Sequence, residues 1–418
     1  MAGLDSIEVH VDLEMAPEPE LMGMLHRQRS GKGELFSFEY AKSWVARAEA
    51  FAFDPDLQLG AGHQYPSSDR TNFGIFTDSS PDRWGRLLMQ RRENARARRE
   101  GARPRTLTEW DFLLGVHDET RLGALRFRFP EGPFVDSDER FAAPPLTSLR
   151  ELQAVSLQFE QHINDEDHPE YDKWLGQLIA PGSSLGGARP KASVRDEEGI
   201  LCIAKFPSRQ DLRDVGAWEL VANALARKAG IQVPEARPLR FPENPYTTFL
   251  VQRFDRTPNG RRRAFVSAMT LTQHRDGEDG ASYLELVELL QQRGAQTLPD
   301  CEQLFRRVLF NISIHNTDDH LRNHGFFIGE QGIVLSPAYD LNPSVERDHL
   351  SLAIDETEAT CDVAIAMDAF KSYGISAAKA DAALHDVESA VADWRAQAQE
   401  LGIARADQDL MAVAFEKS

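Results

Sequence analysis

The hydrophobic positions near the start of the chain follow the period of a β-strand. Apolar residues occupy every second position from 7 to 13. Further apolar stretches lie at 21–25 and 36–40, the second of them after a turn rich in Gly and Ser. Successive side chains of a strand point to opposite faces, so this alternation predicts an antiparallel sheet at the beginning of the chain. Further strands are predicted at 123–127, 192–194, 201–206, 233–236 and 249–256.

The pattern becomes helical in the second half of the chain. From position 282 onward, apolar residues recur with a period of about 3.6, first at 284–290 and then before the polar run that begins at 316. An earlier helix is predicted to begin at Pro81, with Ser80 as its cap. Other helices are predicted at 110–116, 148–159, 215–229, 363–370, 377–391 and 394–401, whereas the acidic stretch leading to position 178 favours turns.

These patterns predict an α+β protein that is β-rich at its N-terminal end and mostly helical at its C-terminal end. A stretch rich in Pro, Gly and Asp at 130–145 is typical of a linker. We therefore divide the chain into a β-rich N-terminal subdomain (1–140), a smaller lobe (141–256) and a helical lobe (257–418).

The composition is that of a globular protein. We expect it to be neither exported nor membrane-spanning, because the first apolar stretch contains acidic residues and no apolar run approaches about 18 residues. The chain has 418 residues, of which 41% are hydrophobic, and its net charge of −19 argues against a general nucleic-acid coat. The three cysteines, Cys202, Cys301 and Cys361, form no CxxC pair and predict buried thiols in the cytoplasm. The arginine-rich segment 91–105 is interpreted as a solvated helix face, with a nucleic-acid contact as the alternative.

The candidate chemistry is concentrated between positions 311 and 344. A polar cluster follows a buried helix pattern, and Asp340 follows a short strand that begins after a turn at Gln331 and Gly332. Phosphoryl transfer from a nucleotide needs a group such as Asp318 to deprotonate the attacking hydroxyl, and hard oxygen ligands for Mg²⁺ such as Asn323 and Asp340. The first cluster consists of Asn316, Asp318, Asp319, His320 and Asn323.

The alternative for each of these residues is structural, because Asp and Asn are common helix caps and turn residues. A dense polar run directly after a buried helix has no packing purpose, however. The polar cluster taken as a whole therefore indicates a functional site.

A glycine-rich loop at 181–191 is the second candidate element. It contains Ser184, Gly186, Gly187 and Ala188, and small residues of this kind let backbone N–H groups approach a phosphate closely. A plain hairpin turn is the alternative for the loop taken alone.

Lys205 strengthens the interpretation of that loop. It lies in an apolar strand pattern, where an unpaired ammonium would be costly to bury, so we expect it to meet an α- or β-phosphate with Glu219 as a holding partner. A lysine that extends from an edge strand into solvent is the alternative.

Residues 311–344 resemble the catalytic segment of HipA-like serine/threonine kinases. The catalytic loop of that family reads N-x-D-x-H-x-x-N and its metal-binding segment reads S-P-A-Y-D, and both stand here without a substitution at 316–323 and 336–340. The region 20–130, with D-S-S-P-D-R-W-G-R and F-L-L-G-V-H-D, is similar to the N-terminal region of the same family.

The resemblance implies a two-lobed, kinase-like fold and an ATP- and Mg²⁺-dependent protein kinase. It implies autophosphorylation of Ser184 that switches the enzyme off, and a hinge around Gln252 and Phe254 that meets the adenine. His320 and Tyr339 would line the site and hold the other groups in register. For residues 249–256, which end in R-F-D-R, an ordinary strand of the core remains the alternative to a hinge.

The resemblance also implies a biological role. HipA-like proteins are typically toxins that arrest growth by phosphorylating a translation component such as an aminoacyl-tRNA synthetase. A HipB-like helix-turn-helix antitoxin binds and neutralises them. We therefore expect this protein to contact operator DNA only through that antitoxin, and we expect no membrane partner.

Two other functions are compatible with the sequence alone. One is a metal-dependent phosphohydrolase, because adjacent histidines and aspartates suit a transition metal. Its ligands would be His315, Asp318, Asp319, His320 and His324. The other is a catalytically silent nucleotide-binding module.

Overall fold

The computed structural model describes residues 4–14, 16–31, 33–47, 50–137, 143–179, 187 and 189–416. The chain divides into two compact units. Unit 1 comprises Met1–Arg209 and Asp255–Val266, and unit 2 comprises Gln210–Phe254 and Ser267–Ser418. The division into three segments made from the sequence stays a prediction.

Unit 1 begins with the predicted antiparallel sheet. Strands β1 (Leu4–Val11), β2 (Glu20–Ser30), β3 (Gly33–Tyr40) and β4 (Leu125–Arg128) are arranged in the order β3-β2-β1-β4. Ile7, Val9, Leu25, Phe36 and Phe38 are fully buried on one face, while the alternate side chains form the outer face. The alternation in the sequence therefore identified both the strands and the buried face of the sheet.

Six helices complete the N-terminal part of unit 1 in the described residues. They are α1 (Lys42–Val45), α2 (Gly74–Asp78), α3 (Arg83–Arg99), α4 (Glu109–Leu114), α5 (Leu149–Gln161), which follows a 3-10 turn at Leu146–Ser148, and α6 (Tyr171–Ile179). Helices α3, α5 and α6 share one apolar core around Trp84, Phe159 and Trp174.

Two sequence predictions in this part are wrong. Helix α3 is capped by Asp82, whose Oδ1 accepts a hydrogen bond from the Gly85 amide at 2.7 Å, and not by Ser80. The Ser80 hydroxyl instead donates to the Phe76 carbonyl at 2.8 Å, at the end of α2. Helix α6 occupies the end of the stretch assigned to turns. Its apolar residues recur at a helical period and pack against the shared core, which outweighs the polar residues around them.

Unit 1 also contains the hairpin that follows the glycine-rich loop. Strands β5 (Lys191–Arg195) and β6 (Leu201–Lys205) lie where strands were predicted, and they pair antiparallel. Lys191 is buried, and its Nζ lies 2.7 Å from Asp82 Oδ2 and 3.2 Å from the Gly187 carbonyl oxygen. This ion pair ties the start of β5 to the cap of α3.

Unit 2 is mostly helical. It contains α7 (Val215–Lys228), the hairpin of β7 (Ala236–Leu239) and β8 (Thr248–Gln252), and helices α8 (Ala268–Thr272), α9 (Tyr283–Arg293) and α10 (Thr297–Ser313). The short strand β9 (Phe265–Ser267) includes the point where the chain passes from unit 1 to unit 2. After α10 come a 3-10 turn at Leu321–Asn323 and the hairpin of β10 (Gly325–Gly329) and β11 (Gly332–Leu335). Unit 2 ends with helices α11 (Val363–Ala369), α12 (Ala377–Val391), α13 (Trp394–Glu400) and α14 (Arg405–Phe415).

The buried helix α10 positions the candidate site. Leu304, Phe305, Val308, Leu309 and Ile312 are fully buried in unit 2, so the end of the helix is held by packing on several sides. No helix within the described ranges has the length and apolar character that crossing a membrane would need. Cys202 and Cys301 are buried and Cys361 is half-buried, and within the described residues these three form no disulfide.

Candidate active site

The loop that follows α10 turns sharply and buries most of its polar groups. Asn316 donates its backbone N–H to the Asn311 carbonyl at 2.8 Å, and His315 has a left-handed backbone with φ of 49°. A residue other than glycine adopts this conformation only where its surroundings enforce it. Here the His315 ring also donates from Nδ1 to the Ala414 carbonyl at 3.0 Å, which fixes the turn against α14.

The two neighbouring aspartates of this loop have opposite environments. Asp318 is exposed, whereas Asp319 is 2% exposed. Asp319 Oδ2 accepts hydrogen bonds from the Tyr283 hydroxyl at 2.5 Å, from Asn311 Nδ2 at 2.9 Å and from His324 Nε2 at 2.7 Å. Asp319 therefore holds the loop in shape, and Asp318 is the carboxylate that can meet a substrate.

Three hydrogen bonds tie this loop to the segment that carries Asp340. The Asn342 amide donates to Asn316 Oδ1 at 3.2 Å, and the Ser344 amide donates to the His315 carbonyl at 3.1 Å. The Tyr339 hydroxyl donates to the Arg322 carbonyl at 2.7 Å. These hydrogen bonds hold the two segments of unit 2 together.

Asn323 and Asp340 present the oxygen donors that a magnesium ion prefers. Asn323 is 6% exposed and donates from Nδ2 to the Asp318 carbonyl at 3.2 Å, so its side-chain oxygen points the other way. Asp340 is half-buried, has a left-handed backbone with φ of 60°, and accepts at Oδ1 from Asn342 Nδ2 at 3.1 Å. Both side chains offer hard oxygen atoms as ligands, and such ligands suit Mg²⁺ better than a transition metal.

A pocket of ≈ 320 Å³ opens beside Asp318 within unit 2. Its lining includes Trp218, Asn342 and Ser344 and the charged side chains of Arg213, Glu346 and Arg347. A polar pocket next to an exposed carboxylate is suited to receiving a hydroxyl-bearing side chain.

An aromatic group borders the metal-binding segment. The Phe254 ring lies 5.2 Å from the Tyr339 ring and 6.0 Å from the Phe327 ring, measured between centroids. Gln252 is the last residue of β8, His320 is half-buried, and Glu219 is 4% exposed on α7. These four predicted residues, together with Tyr339, belong to unit 2.

The remaining predicted residues belong to unit 1. Lys205 is half-buried at the end of β6, and Gly187 has φ of 91°, a conformation that favours glycine. Ser184, Gly186 and Ala188 lie outside the described residues.

Several residues that support the site were not identified from the sequence. Arg307 is fully buried, donates to the Ser336 carbonyl, and has its pKa lowered to about 10 by burial. Burial and the neighbouring Asp319 raise the pKa of Tyr283 well above its usual range, so its hydroxyl stays a donor. Both residues sit in ordinary amphipathic helix patterns, which carry no signal for a polar role.

The geometry does not favour the transition-metal site considered as an alternative. Asp319 and His324 hydrogen-bond to one another at 2.7 Å, and the His315 ring is engaged with Ala414. Among the residues that the structure describes, the one group of three or more His, Cys, Asp or Glu side chains with converging ligand atoms lies elsewhere, at His26, Glu39 and His63.

A family model described as HipA-like C-terminal domain matches residues 183–394. The protein named "Putative kinase Y4dM" of Sinorhizobium fredii is 28% identical over 235 residues, which are 52% of this chain and 52% of that protein. A protein of Haemophilus influenzae named "Putative kinase" is 23% identical over 230 residues, which are 48% of this chain and 66% of that protein. The chain thus spans about half the length of the first of these curated relatives.

A solved structure shares the fold. In the complex of the Shewanella oneidensis toxin–antitoxin system HipA, HipB and its operator DNA, a chain matches with a TM-score of 0.65 over 98% of this chain and 94% of that chain, at 18% identity. The likeness confirms the predicted α+β fold of the HipA type.

Proposed function

We propose that this chain, which belongs to the family of HipA-like C-terminal domains, is an ATP- and Mg²⁺-dependent serine/threonine protein kinase. The observation that carries the proposal is the pair of joined loops in unit 2. One loop presents an exposed Asp318 next to a buried Asp319, and the other presents Asp340 on a left-handed backbone. The kinase names of two curated relatives support it.

In the proposed reaction, Asp318 accepts the proton of a Ser or Thr hydroxyl that enters the pocket beside it. The oxygen of that hydroxyl forms a bond to the γ-phosphorus of ATP as the bond to the β-phosphate oxygen breaks, which gives a phosphoprotein and ADP. Asn323 and Asp340 would hold Mg²⁺, which when bound neutralises charge on the phosphates. We assign the phosphate-binding ammonium to Lys205, with Glu219 as its partner, and the adenine contact to Gln252 and Phe254.

The proposed biological role is that of a growth-arresting toxin. The partner would be a HipB-like antitoxin, since HipA of Shewanella oneidensis is found with HipB and operator DNA. Operator DNA would be reached through that antitoxin, and a translation component such as an aminoacyl-tRNA synthetase would be the target. We further propose that phosphorylation of Ser184 inactivates the enzyme.

The proposal is tested by incubating the chain with labelled ATP, Mg²⁺ and a bacterial lysate, followed by identification of the labelled protein. The Asp318→Ala and Asp340→Ala variants are each expected to lose transfer while keeping the circular dichroism spectrum of the wild type. Ser184→Ala is expected to lose most autophosphorylation. Full transfer by the Asp340 variant would overturn the metal assignment, and label mapped only to other residues would remove Ser184.

The same experiment separates the two alternative functions. Release of phosphate without label on any protein, from a chain that retains a transition metal after dialysis, would indicate a phosphohydrolase. Binding of ATP with neither release nor transfer would indicate a silent nucleotide-binding module.

A further inference from the structure

Two histidines and a glutamate converge on the outer face of the N-terminal sheet in unit 1. His26 lies on β2, Glu39 lies on β3, and His63 lies in the segment that follows. The rings of His26 and His63 are 5.1 Å apart between centroids, and His63 Nε2 is 3.9 Å from Glu39 Oε2. One ligand atom from each of the three side chains lies within 4.8 Å of the other two.

Strand register explains how residues so distant in sequence meet. His26 is opposite Ser37, and Met24 is opposite Glu39, so His26 and Glu39 are diagonal neighbours on the same face of the sheet. His63 is fixed beside them because the adjoining Gln64 pairs with Phe38 through two backbone hydrogen bonds of 2.9 and 2.8 Å. The apolar neighbours Leu25 and Phe38 point to the opposite, buried face.

A serine hydroxyl lies next to the Nδ1 atom of each ring. Ser6 Oγ is 2.7 Å from His26 Nδ1, and Ser37 Oγ is 3.5 Å from His63 Nδ1. When Nδ1–H donates to such an oxygen, Nε2 keeps its lone pair, and this is the usual arrangement of a metal-binding histidine.

The Nε2 atom of His26 is the strongest single indication of a ligand. It is buried and has no hydrogen-bond partner, although buried polar atoms are nearly always paired. One ligand atom of His26 lies within 4.8 Å of the ligand atoms of Glu39 and His63, and Nδ1 of the ring is already engaged with Ser6, which leaves Nε2 for the group. A metal ion at the centre of the group would satisfy it.

We propose that His26, Glu39 and His63 bind a divalent transition-metal ion of the Zn²⁺ type, with a water molecule in the remaining position. Imidazole and carboxylate are common zinc ligands, and a tetrahedral site with bonds of about 2.0–2.1 Å brings its ligand atoms to about 3.4 Å from one another. The side chains of Glu39 and His63 are each 48% exposed, so small rotations at the surface close the site. Imidazole nitrogen disfavours Mg²⁺, which separates this site chemically from the all-oxygen pair Asn323 and Asp340.

Bound metal would connect three segments of unit 1, namely β2, β3 and the connection that carries His63. An ion that binds only the folded chain stabilises it in proportion to its affinity and concentration. The site therefore couples the stability of the N-terminal sheet to metal supply, independently of phosphoryl transfer.

The test uses the full-length chain without a polyhistidine tag, freed of metal by a chelator. Zn²⁺ is titrated against a competing chromogenic chelator in the presence of excess Mg²⁺, and thermal unfolding is followed by circular dichroism with and without Zn²⁺. We expect one Zn²⁺ per chain and a higher Tm with the ion. His63→Ala and Glu39→Gln should each weaken binding at least tenfold, since even residues that only orient metal ligands have effects of about 10–100-fold.

His349→Ala is the matched control, because His349 is an exposed histidine that lies 3.2 Å from the carboxylate of Asp348 and belongs to no group of three converging ligands among the described residues. It should bind Zn²⁺ as the wild type does. Equal affinity of the wild type and His63→Ala, or equal weakening by His349→Ala, would overturn the proposal. Phosphoryl transfer by His63→Ala should equal that of the wild type. Zinc affinity is measured without ATP, so the zinc result can be interpreted even if the chain shows no kinase activity.

Discussion

Two charge-rich regions of this protein differ in how their side chains are used. Helix α3 and the residues after it carry many arginines, and most of these pair with acidic groups of unit 1. The pairs in the described residues include Arg86 with Glu109, Arg91 with Glu166, Arg96 with Glu93 and Glu100, Arg98 with Glu166 and Asp167, Arg99 with Asp172, and Arg105 with Glu93 and Asp111. The loop after α10 instead buries its polar groups and leaves Asp318 exposed.

This difference shows that density of charge is a poor guide to function. The arginines have partners within their own unit, which supports the interpretation of a solvated, ion-paired helix face. At the loop, buried hydrogen bonds fix the backbone so that one carboxylate is presented alone. The arrangement of neighbours around a charged group decides its role.

The largest expected effect is on catalysis. Asp318→Asn should reduce phosphoryl transfer by about 10²–10⁴-fold, the usual contribution of a general base, with the Tm unchanged because the side chain is exposed. Initial rates with labelled ATP measure it, and Asp381→Asn, an exposed carboxylate on α12, is the control. A rate close to that of the wild type would remove Asp318 from the reaction.

Substitution of the neighbouring Asp319 should mainly lower the stability of the folded protein. Asp319→Ala removes the acceptor of three buried donors, Tyr283, Asn311 and His324, and should lower the free energy of unfolding by about 3–5 kcal/mol. Urea unfolding measures the change. A loss of less than 1 kcal/mol, on the order of a surface substitution, would show that the loop is not held by this network.

A smaller effect is expected from pH at the arginine-rich helix. The hydrogen bond from Arg96 lowers the pKa of Glu93 below its usual value of 4.5. A lowered pKa in the folded state means that the stabilisation is present above pH 4.5 and is lost as pH falls through the folded value. The difference in unfolding free energy between wild type and Glu93→Gln should therefore shrink on acidification from pH 7. A difference that is independent of pH would contradict the ion pairing.

The smallest effect is expected for a single arginine pair. Arg91 and Glu166 are 2.6 Å apart, with side chains 21% and 25% exposed. A double-mutant cycle with Arg91→Ala and Glu166→Ala should give a coupling of about 1 kcal/mol or less. A coupling several times larger would mean that this helix face is a rigid structural network.

Much of the fold could be predicted from the sequence because local periodicity and burial agree in it. The alternation in β1 to β3, the hairpin of β10 and β11 and the late helices all follow directly from the positions of apolar residues. The helix α6 was missed because polar residues surround its short apolar face. The cap of α3 was misassigned because Ser80 and Asp82 are both good caps, and only the backbone decides which carbonyl and amide each one meets.

Residue types and their spacing along the chain were enough to find the two motifs that mark the candidate active site. The strand and helix periods of the sequence also determined which faces are buried. The three-dimensional fold was needed to show that Asp319 is buried while Asp318 is exposed, to bring His26, Glu39 and His63 together, and to pair Lys191 with Asp82. The physical reason is that motifs and periods are local along the chain. Burial of a charge and convergence of ligand atoms depend on partners that are far away in sequence.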